Sequence, residues 1–479
     1  MPDTESGLPN GTKAGACANV SRHMGTWECI SVIVGIVVGV SIFKVPALVF
    51  SNVPTLWHGL AAWLAGGVLS VVGALCYAEL ATSYPRQGGD YTWLTRAFHP
   101  FVGYLFGWGR LSVIQTGSIG ALAYVFADYA VALFNLSRLN PAWFAILVVI
   151  VLTFVNILGI RCGKTTQNVL TLLKVAGIAA IVVAGIAVGG SASLASVQGV
   201  RGPGLGLAMI LILYAYGGWN EAAFVAAEMR DPSRSIPRAL ILSTAAITLI
   251  YLIINGAYLL ALGFEGLRAS PVPAAAVLER VLGRGGMKGI SIVVLLSVLG
   301  ALNGTIMTGS RVYAAVGEEH GVFALLGRWS SRLGTPVWAL VIQGGVTLVM
   351  ILSVGTVTGR GLLDALLQRI GVEALPWSRY GGGFDTLVSA TAPVFWLFFF
   401  LVGVSLLILR FRDRGFNRPF SVPLYPVLPL VFCGMCLYML HASFTYAGSL
   451  SVLAVVVLVL GAPLYAVGRR LRSAPPHAV

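Results

Sequence analysis

The 479-residue chain is 57% hydrophobic and only 10% charged, with a formal net charge of +14. A soluble globular protein carries about 25% charged residues, so too little polar surface remains here to face water, and the composition places the chain in a bilayer. The basic excess comes without a basic run interleaved with aromatics, which excludes nucleic acid as a partner; in a membrane protein it is lysine and arginine retained on the cytoplasmic side.

Residues 1–26 are polar, with Asp3, Glu5 and Lys13. No short apolar stretch with a small-residue cleavage site is evident, so a disordered cytoplasmic tail is expected rather than a cleaved signal. A spanning helix needs about 20 mostly apolar residues. Twelve such spans are predicted, at 27–50, 58–82, 101–134, 142–160, 166–189, 205–228, 240–264, 288–314, 337–357, 385–410, 424–445 and 449–468. The third is too long for one perpendicular crossing and must tilt or project. With the N-terminus inside, this map puts twice as many lysines and arginines in cytoplasmic as in exterior loops, and both chain ends in the cytoplasm. Lys44, Arg110, Lys174 and Arg311 fall in or at the ends of spans.

The two longest exterior loops, near 265–287 and 358–384, each carry a short amphipathic stretch, such as Leu362 to Leu367, and are expected to hold helices lying along the membrane face. Residues 469–479 form a second tail. The reading is one all-α membrane domain over 27–468 without a soluble module. Six cysteines and six histidines are dispersed with no metal-ligand spacing. Cys433 and Cys436 form a CxxC, read as two small residues on one helix face rather than a redox pair. No cofactor and no metal are expected.

Two spans carry interruptions. In the first, Gly35-Ile-Val-Val-Gly39-Val-Ser41-Ile-Phe-Lys-Val-Pro46 places glycines, a serine and a proline in mid-membrane; in the sixth, Tyr214-Ala-Tyr-Gly-Gly-Trp-Asn220 places a Gly-Gly pair at matching depth. Glycine costs about 1 kcal/mol and proline about 3 kcal/mol in a helix interior. Freed backbone groups cost several kcal/mol more in lipid unless a polar cavity or protein satisfies them. Close packing through small residues explains either segment alone equally well. Their positions as helices one and six of an apparent five-plus-five inverted repeat point to a central binding site. A half-helix N-terminus offers N–H groups to a carboxylate and a half-helix C-terminus offers carbonyls to an ammonium. Two broken helices crossing there form a receptor for a zwitterion, the head group of an amino acid.

Several motifs follow in order: Gly73-Ala-Leu-Cys-Tyr-Ala-Glu79-Leu, Pro85-Arg-Gln-Gly-Gly-Asp90-Tyr, the helix-six segment, Glu228-Met-Arg-Asp-Pro232-Ser-Arg-Ser-Ile-Pro237-Arg, Gly300-Ala-Leu-Asn303-Gly, Ser310-Arg311, and Arg418-Pro-Phe-Ser-Val-Pro-Leu-Tyr-Pro426. Over residues 26–445 the chain resembles the amino acid–polyamine–organocation superfamily, in its L-type amino-acid transporter-like branch. The resemblance implies two inverted five-helix repeats (27–189 and 205–410) plus two peripheral helices at 424–468. It implies that Gly39, Val40 and Ser41 present N–H groups to a substrate carboxylate, that the carbonyls of Tyr214, Ala215 and Gly217 hold its amine, that Tyr214 gates the site, and that Asn220 braces the break. By the same resemblance Lys174, with Ser297 as a neighbour, replaces the sodium ion of sodium-coupled relatives and braces helix one against helix eight. The residue-level alternative is a lysine snorkelling to the cytoplasmic interface.

The sequence departs from the family pattern at Gly39-Val40-Ser41, where the usual triplet is Gly-Ser-Gly. A serine at the second glycine is disfavoured if that position needs positive φ or very close approach. Lys44 and Glu221, just beyond the two breaks, stand where the family has apolar or neutral residues. Either one faces the pocket and selects a charged side chain, or both satisfy other groups. Glu79, Asp90 and Glu228 lie near cytoplasmic helix ends, close in sequence to Arg86, Arg96, Arg230 and Arg234, and read as inner-gate ion pairs or as static pairs at the interface.

The expected function is a sodium-independent permease or exchanger for amino acids in the plasma membrane, with no accessory subunit. The alternatives are a polyamine or amino-acid-derivative carrier, or a non-transporting sensor of the same fold, for which no output domain is evident. An enzyme would need a catalytic cluster at one face, and none is visible.

Overall fold

The computed structural model describes residues 25–39, 41–85, 88–134, 136, 138–189, 204–224, 229, 231–270, 272–369, 371–377, 380 and 382–473, without the side chains at 44, 132, 160–164, 222–224, 284, 287 and 469–473. Among these residues the extended regular elements are all helical, as lipid demands of a spanning chain that must satisfy its backbone internally. Among the described residues nine helices are long and apolar enough to cross a membrane: Leu56–Ser83, Pro100–Val131, Thr165–Val188, Pro232–Ala269, Lys288–Glu319, Val337–Gly355, Gly383–Arg412, Val427–Ala447 and Ser449–Gly468. Pro141–Ile157 is shorter and apolar. The remaining two predicted spans are split, the first into Thr26–Val37 and Ser41–Ser51, the sixth into Leu205–Ala215 and a 3-10 turn over Trp219–Phe224. In chain order these are spans 1 to 12.

The helix faces show which solvent surrounds them. On span 4, Trp143, Leu147, Ile150, Phe154 and Leu158 are exposed, while Ala145, Val149, Thr153 and Asn156 are buried. The large apolar side chains form a stripe at helical spacing facing outward, and the small and polar ones face the bundle, as expected for a helix whose outer solvent is lipid. Span ends are set by local chemistry. Asn140 caps span 4 by accepting from the Ala142 N–H at 2.9 Å, with Pro141 at the first helical position.

The excess length of span 3 contains a feature the sequence did not announce. A five-residue π-helical turn, Arg110–Ile114, joins Pro100–Gly109 to Gln115–Leu133, a distortion that recurs at functional sites. The 265–287 connection holds a helix, as expected there. Span 7 continues to Ala269 through a kink at Gly263 (φ 74), and the helix Pro273–Leu282 then buries Ala274 and Val277 while packing on spans 5 and 8. The second loop holds Val357–Arg369, which exposes Leu362 and Leu366 and buries Leu367. Cys433 and Cys436 are free and buried within span 11.

The first half of span 1 packs against spans 5, 7 and 8, and its second half against span 7 and the first half of span 6. The two breaks are thereby brought face to face.

Glu79 of span 2 anchors the end of span 10. Arg410 holds it in two bonds of 2.7 Å, Arg418 approaches at 3.3 Å, and the Val422 N–H donates to it at 2.6 Å. Two sequence motifs, one containing Glu79 and one beginning at Arg418, therefore meet in space. Arg96 pairs instead with Asp413, at 2.9 Å. Among the described residues Glu79 thus pairs with Arg410 and Arg418 rather than with the arginines near it in sequence, Arg96 being drawn to Asp413 where the helix Asp90–Ala97 packs on the end of span 10. Arg86, Glu228 and Arg230 lie outside the described residues.

Candidate functional site

The first break begins where the Val38 N–H closes the last turn on Val34 O at 2.9 Å, and helix resumes at Ser41. A Cβ on Gly39 would make only ordinary contacts, 3.6 Å from Ile36 O and 3.8 Å from Ala301 Cβ. Ser41 has no positive φ. The serine in place of the family's second glycine is therefore unstrained. Close approach instead occurs one turn earlier, where a Cβ on Gly35 would lie 2.6 Å from both Gln167 Nε2 and Thr171 Oγ1. Val40 lies outside the described residues.

In the second break Gly218 has φ +110, and a Cβ there would sit 2.9 Å from Ile36 Cγ2. This position needs glycine twice over, for its left-handed backbone and for the approach of span 6 to span 1. Asn220 is buried but makes no hydrogen bond across the break among the described residues. That role falls to Tyr251 of span 7, whose hydroxyl lies 2.9 Å from both Val37 O and Ala215 O. Its single proton is shared between the last carbonyls of two half-helices. The ring is clamped by Trp63 and Tyr216, with centroids 5.3 and 5.0 Å away. Tyr251→Phe keeps that ring packing and leaves two buried acceptors without their donor, at a cost of about 1–3 kcal/mol. The expected outcome is roughly a tenfold rise in KM or fall in transport rate, measured by substrate flux at equal protein content.

Between the breaks lies a cavity of about 150 Å³ lined by Gly39 and Ser41 from the first, and Tyr214, Ala215, Gly217, Asn220 and Glu221 from the second. Arg110 and Gln115 of span 3, Thr305 of span 8, and Thr391, Phe395 and Trp396 of span 10 complete it. Tyr214 packs edge-on to Phe384 at 6.2 Å. Six of the seven residues expected to bind substrate are thus brought together, and the seventh is Val40.

Of the two selectivity candidates, the Lys44 side chain lies outside the described residues. Glu221 lines the cavity and also satisfies other groups. Arg110 Nη2 donates to its Oε1 at 2.6 Å and Thr308 Oγ1 to its Oε2 at 2.5 Å. Arg110 was visible in the sequence as a lone arginine inside an apolar span; its partner was not.

Lys174 is fully buried and donates to Gly35 O at 2.6 Å, so it faces the protein interior and does not snorkel. A Cβ on Gly300 of span 8 would be 3.7 Å from its ammonium nitrogen. Ser297 is buried with no hydrogen-bond partner for its hydroxyl among the described residues. Asp90 is 1% exposed and accepts from Tyr77 OH at 3.0 Å. Burial pushes its carboxyl up to about 7, against the opposing pull of Arg110. No group of three or more potential metal ligands occurs among the described residues.

The chain shares its fold with Mhp1, a nucleobase-cation-symport-1 family transporter solved in a closed conformation with bromovinylhydantoin bound. The TM-score is 0.55 at 14% identity, covering 93% of this chain and 94% of that one. It is 28% identical to the mouse b(0,+)-type amino acid transporter 1, over 88% of this chain and 83% of the relative. It is 27% identical to the serine/threonine exchanger SteT of Bacillus subtilis, over 93% and 96%, and 28% identical to the human cystine/glutamate transporter, over 93% and 85%. The amino acid permease family model matches residues 24–465. An all-helical membrane architecture, two facing helix breaks around a cavity, and a family match over nearly the whole sequence agree: the chain belongs to the amino acid permease family, a family of membrane transporters and not of enzymes.

Proposed function

We propose that this protein moves amino acids across the cell membrane by alternating access, independently of sodium, with both chain ends cytoplasmic and without an accessory subunit. The observation that carries the reading is a cavity lined by both helix breaks. At its wall the N-terminus of Ser41–Ser51 offers backbone N–H groups suited to a carboxylate, with Gly39, Val40 and Ser41 as the binding segment. The carbonyls of Tyr214, Ala215 and Gly217 suit an ammonium. Ala215 O already accepts from Tyr251 and has a second lone pair for substrate. Tyr214, against Phe384, closes the site on one side.

Sodium independence is supported by Lys174. Its Nζ donates to Gly35 O at 2.6 Å and so occupies the carbonyl that a second cation would need. Lys174 thus stands in for an ion, with Ser297 as part of the same buried surround.

Counterflow into proteoliposomes tests this. Vesicles loaded with a mixed amino-acid pool are offered labelled amino acids one at a time. The expected result is accumulation of a few related substrates, unchanged within about twofold when choline replaces sodium. Accumulation of polyamines alone would move the assignment to an amine carrier, and a strict sodium requirement would remove the role given to Lys174.

A further inference from the structure

At the cavity wall Arg110 and Glu221 adjoin a third ionisable group, Asp90, to which the head-group binding proposed above gives no role. Asp90 is enclosed by protein, with one carboxyl oxygen on Tyr77 OH and the other, Oδ1, buried without a hydrogen-bond partner among the described residues. A buried carboxylate so poorly solvated favours its protonated form unless a cation neutralises it. Arg110 acts on Asp90 electrostatically, but its Nη2 is engaged by Glu221 at 2.6 Å. Glu221 in turn lines the cavity. Two carboxyls on different elements thus draw on one guanidinium, and one of the two faces the substrate space.

Among the described residues, other titratable groups on the neighbouring elements have partners of their own. On its own helix, Tyr91 OH donates to Glu319 at 2.6 Å and lies 2.9 Å from His320, and Arg96 is paired with Asp413. From span 8, Tyr313 OH donates to Arg110 O at 3.3 Å.

We propose that Asp90 is a proton carrier and that this permease couples amino-acid movement to protons through the Asp90–Arg110–Glu221 cluster. This rests on the amino-acid transport proposed above. In the arrangement seen here Arg110 holds Glu221, and Asp90 keeps its proton. When span 6 moves away from span 3, Glu221 leaves the guanidinium, Arg110 turns its charge to Asp90, and Asp90 passes its proton to the Glu221 carboxylate, which releases it to cavity water, so that one O–H bond breaks and one forms at each transfer. Return of Glu221 to Arg110 restores the proton affinity of Asp90, and the proton is taken up again from the cavity side by way of Glu221. The coupling is the difference in proton affinity between the two arrangements.

Titratability supports the geometry: a carboxyl raised to about 7 by burial changes its protonation within the range that transport assays span.

The experiment uses the full chain in proteoliposomes with a pH-sensitive dye inside and a substrate identified by counterflow. For the wild type, an acid-outside gradient is expected to stimulate uptake at least threefold, and substrate entry to acidify the lumen. D90N is expected to retain counterflow without a pH gradient and to lose the stimulation. Counterflow failing in the wild type would sink the transport reading itself. Counterflow with no proton movement, or a D90N protein that keeps its gradient response, would overturn the proton proposal alone. If D90N does not reach the membrane folded, D90E decides: a gradient response whose pH midpoint is displaced from wild type supports the proposal, and an unchanged midpoint overturns it.

Discussion

Arg110→Ala is expected to destabilise the solubilised protein by about 3–5 kcal/mol, because it leaves the buried Glu221 carboxylate without its cation, and Glu221→Ala by less, because Arg110 still acts on Asp90. Their side chains are only 3% and 9% exposed. The double variant Arg110→Met/Glu221→Leu is expected to recover most of that loss, since apolar groups of similar volume replace a pair whose desolvation already offsets much of its attraction. Transport follows a different order. Because Glu221 links span 6 to span 3 through Arg110 and to span 8 through Thr308, all three variants are expected to lose counterflow by at least tenfold. Melting temperatures of the three variants in detergent, read beside counterflow, separate the two effects. Singles no less stable than the double would mean that the pair contributes nothing to holding the cavity wall.

Lys174→Met is expected to part stability from activity in the opposite way. Methionine fills most of the lysine volume without an ammonium whose desolvation opposes folding, so the melting temperature should hold or rise. The bond to Gly35 O disappears, and with it the fixed charge that ties the first half of span 1 to span 5. Transport is expected to fall at least tenfold, equivalent to about 1.4 kcal/mol or more in the rate-limiting barrier. Melting temperature and initial uptake rate on the same preparation check this. Uptake within twofold of wild type would reduce Lys174 to a structural residue.

These predictions fall on residues that the sequence revealed unevenly. Lys174 was recognisable as a costly charge in an apolar run, and the structure resolves its two readings by burying it completely. Glu221 was visible as an oddity, but its dual position, against the cavity and against Arg110, was not. Tyr251 gave no signal at all: a tyrosine in an apolar helix reads as packing, and its role exists because span 7 passes behind both breaks. Asn220, marked as the brace, sits at the cavity wall while Tyr251 does the bridging. The concern over Ser41 dissolved for a backbone reason, since the position is the start of a helix and not a left-handed turn. The glycine requirement lies at Gly35 and Gly218, where neighbouring helices approach too closely for a side chain.

The sequence alone determined the membrane class, the helical positions and the two interruptions. Those are local properties: apolar runs of spanning length, glycine and proline in helix interiors, and backbone groups that lipid cannot satisfy. Only the tertiary structure decided the pairings. Glu79 meets Arg410 across 331 residues of sequence, Arg110 meets Glu221 across 111, and Tyr251 reaches Val37 across 214. The physical reason is that each partner is a lone polar group on an apolar helix, and which lone groups meet depends on which faces of distant helices come into contact.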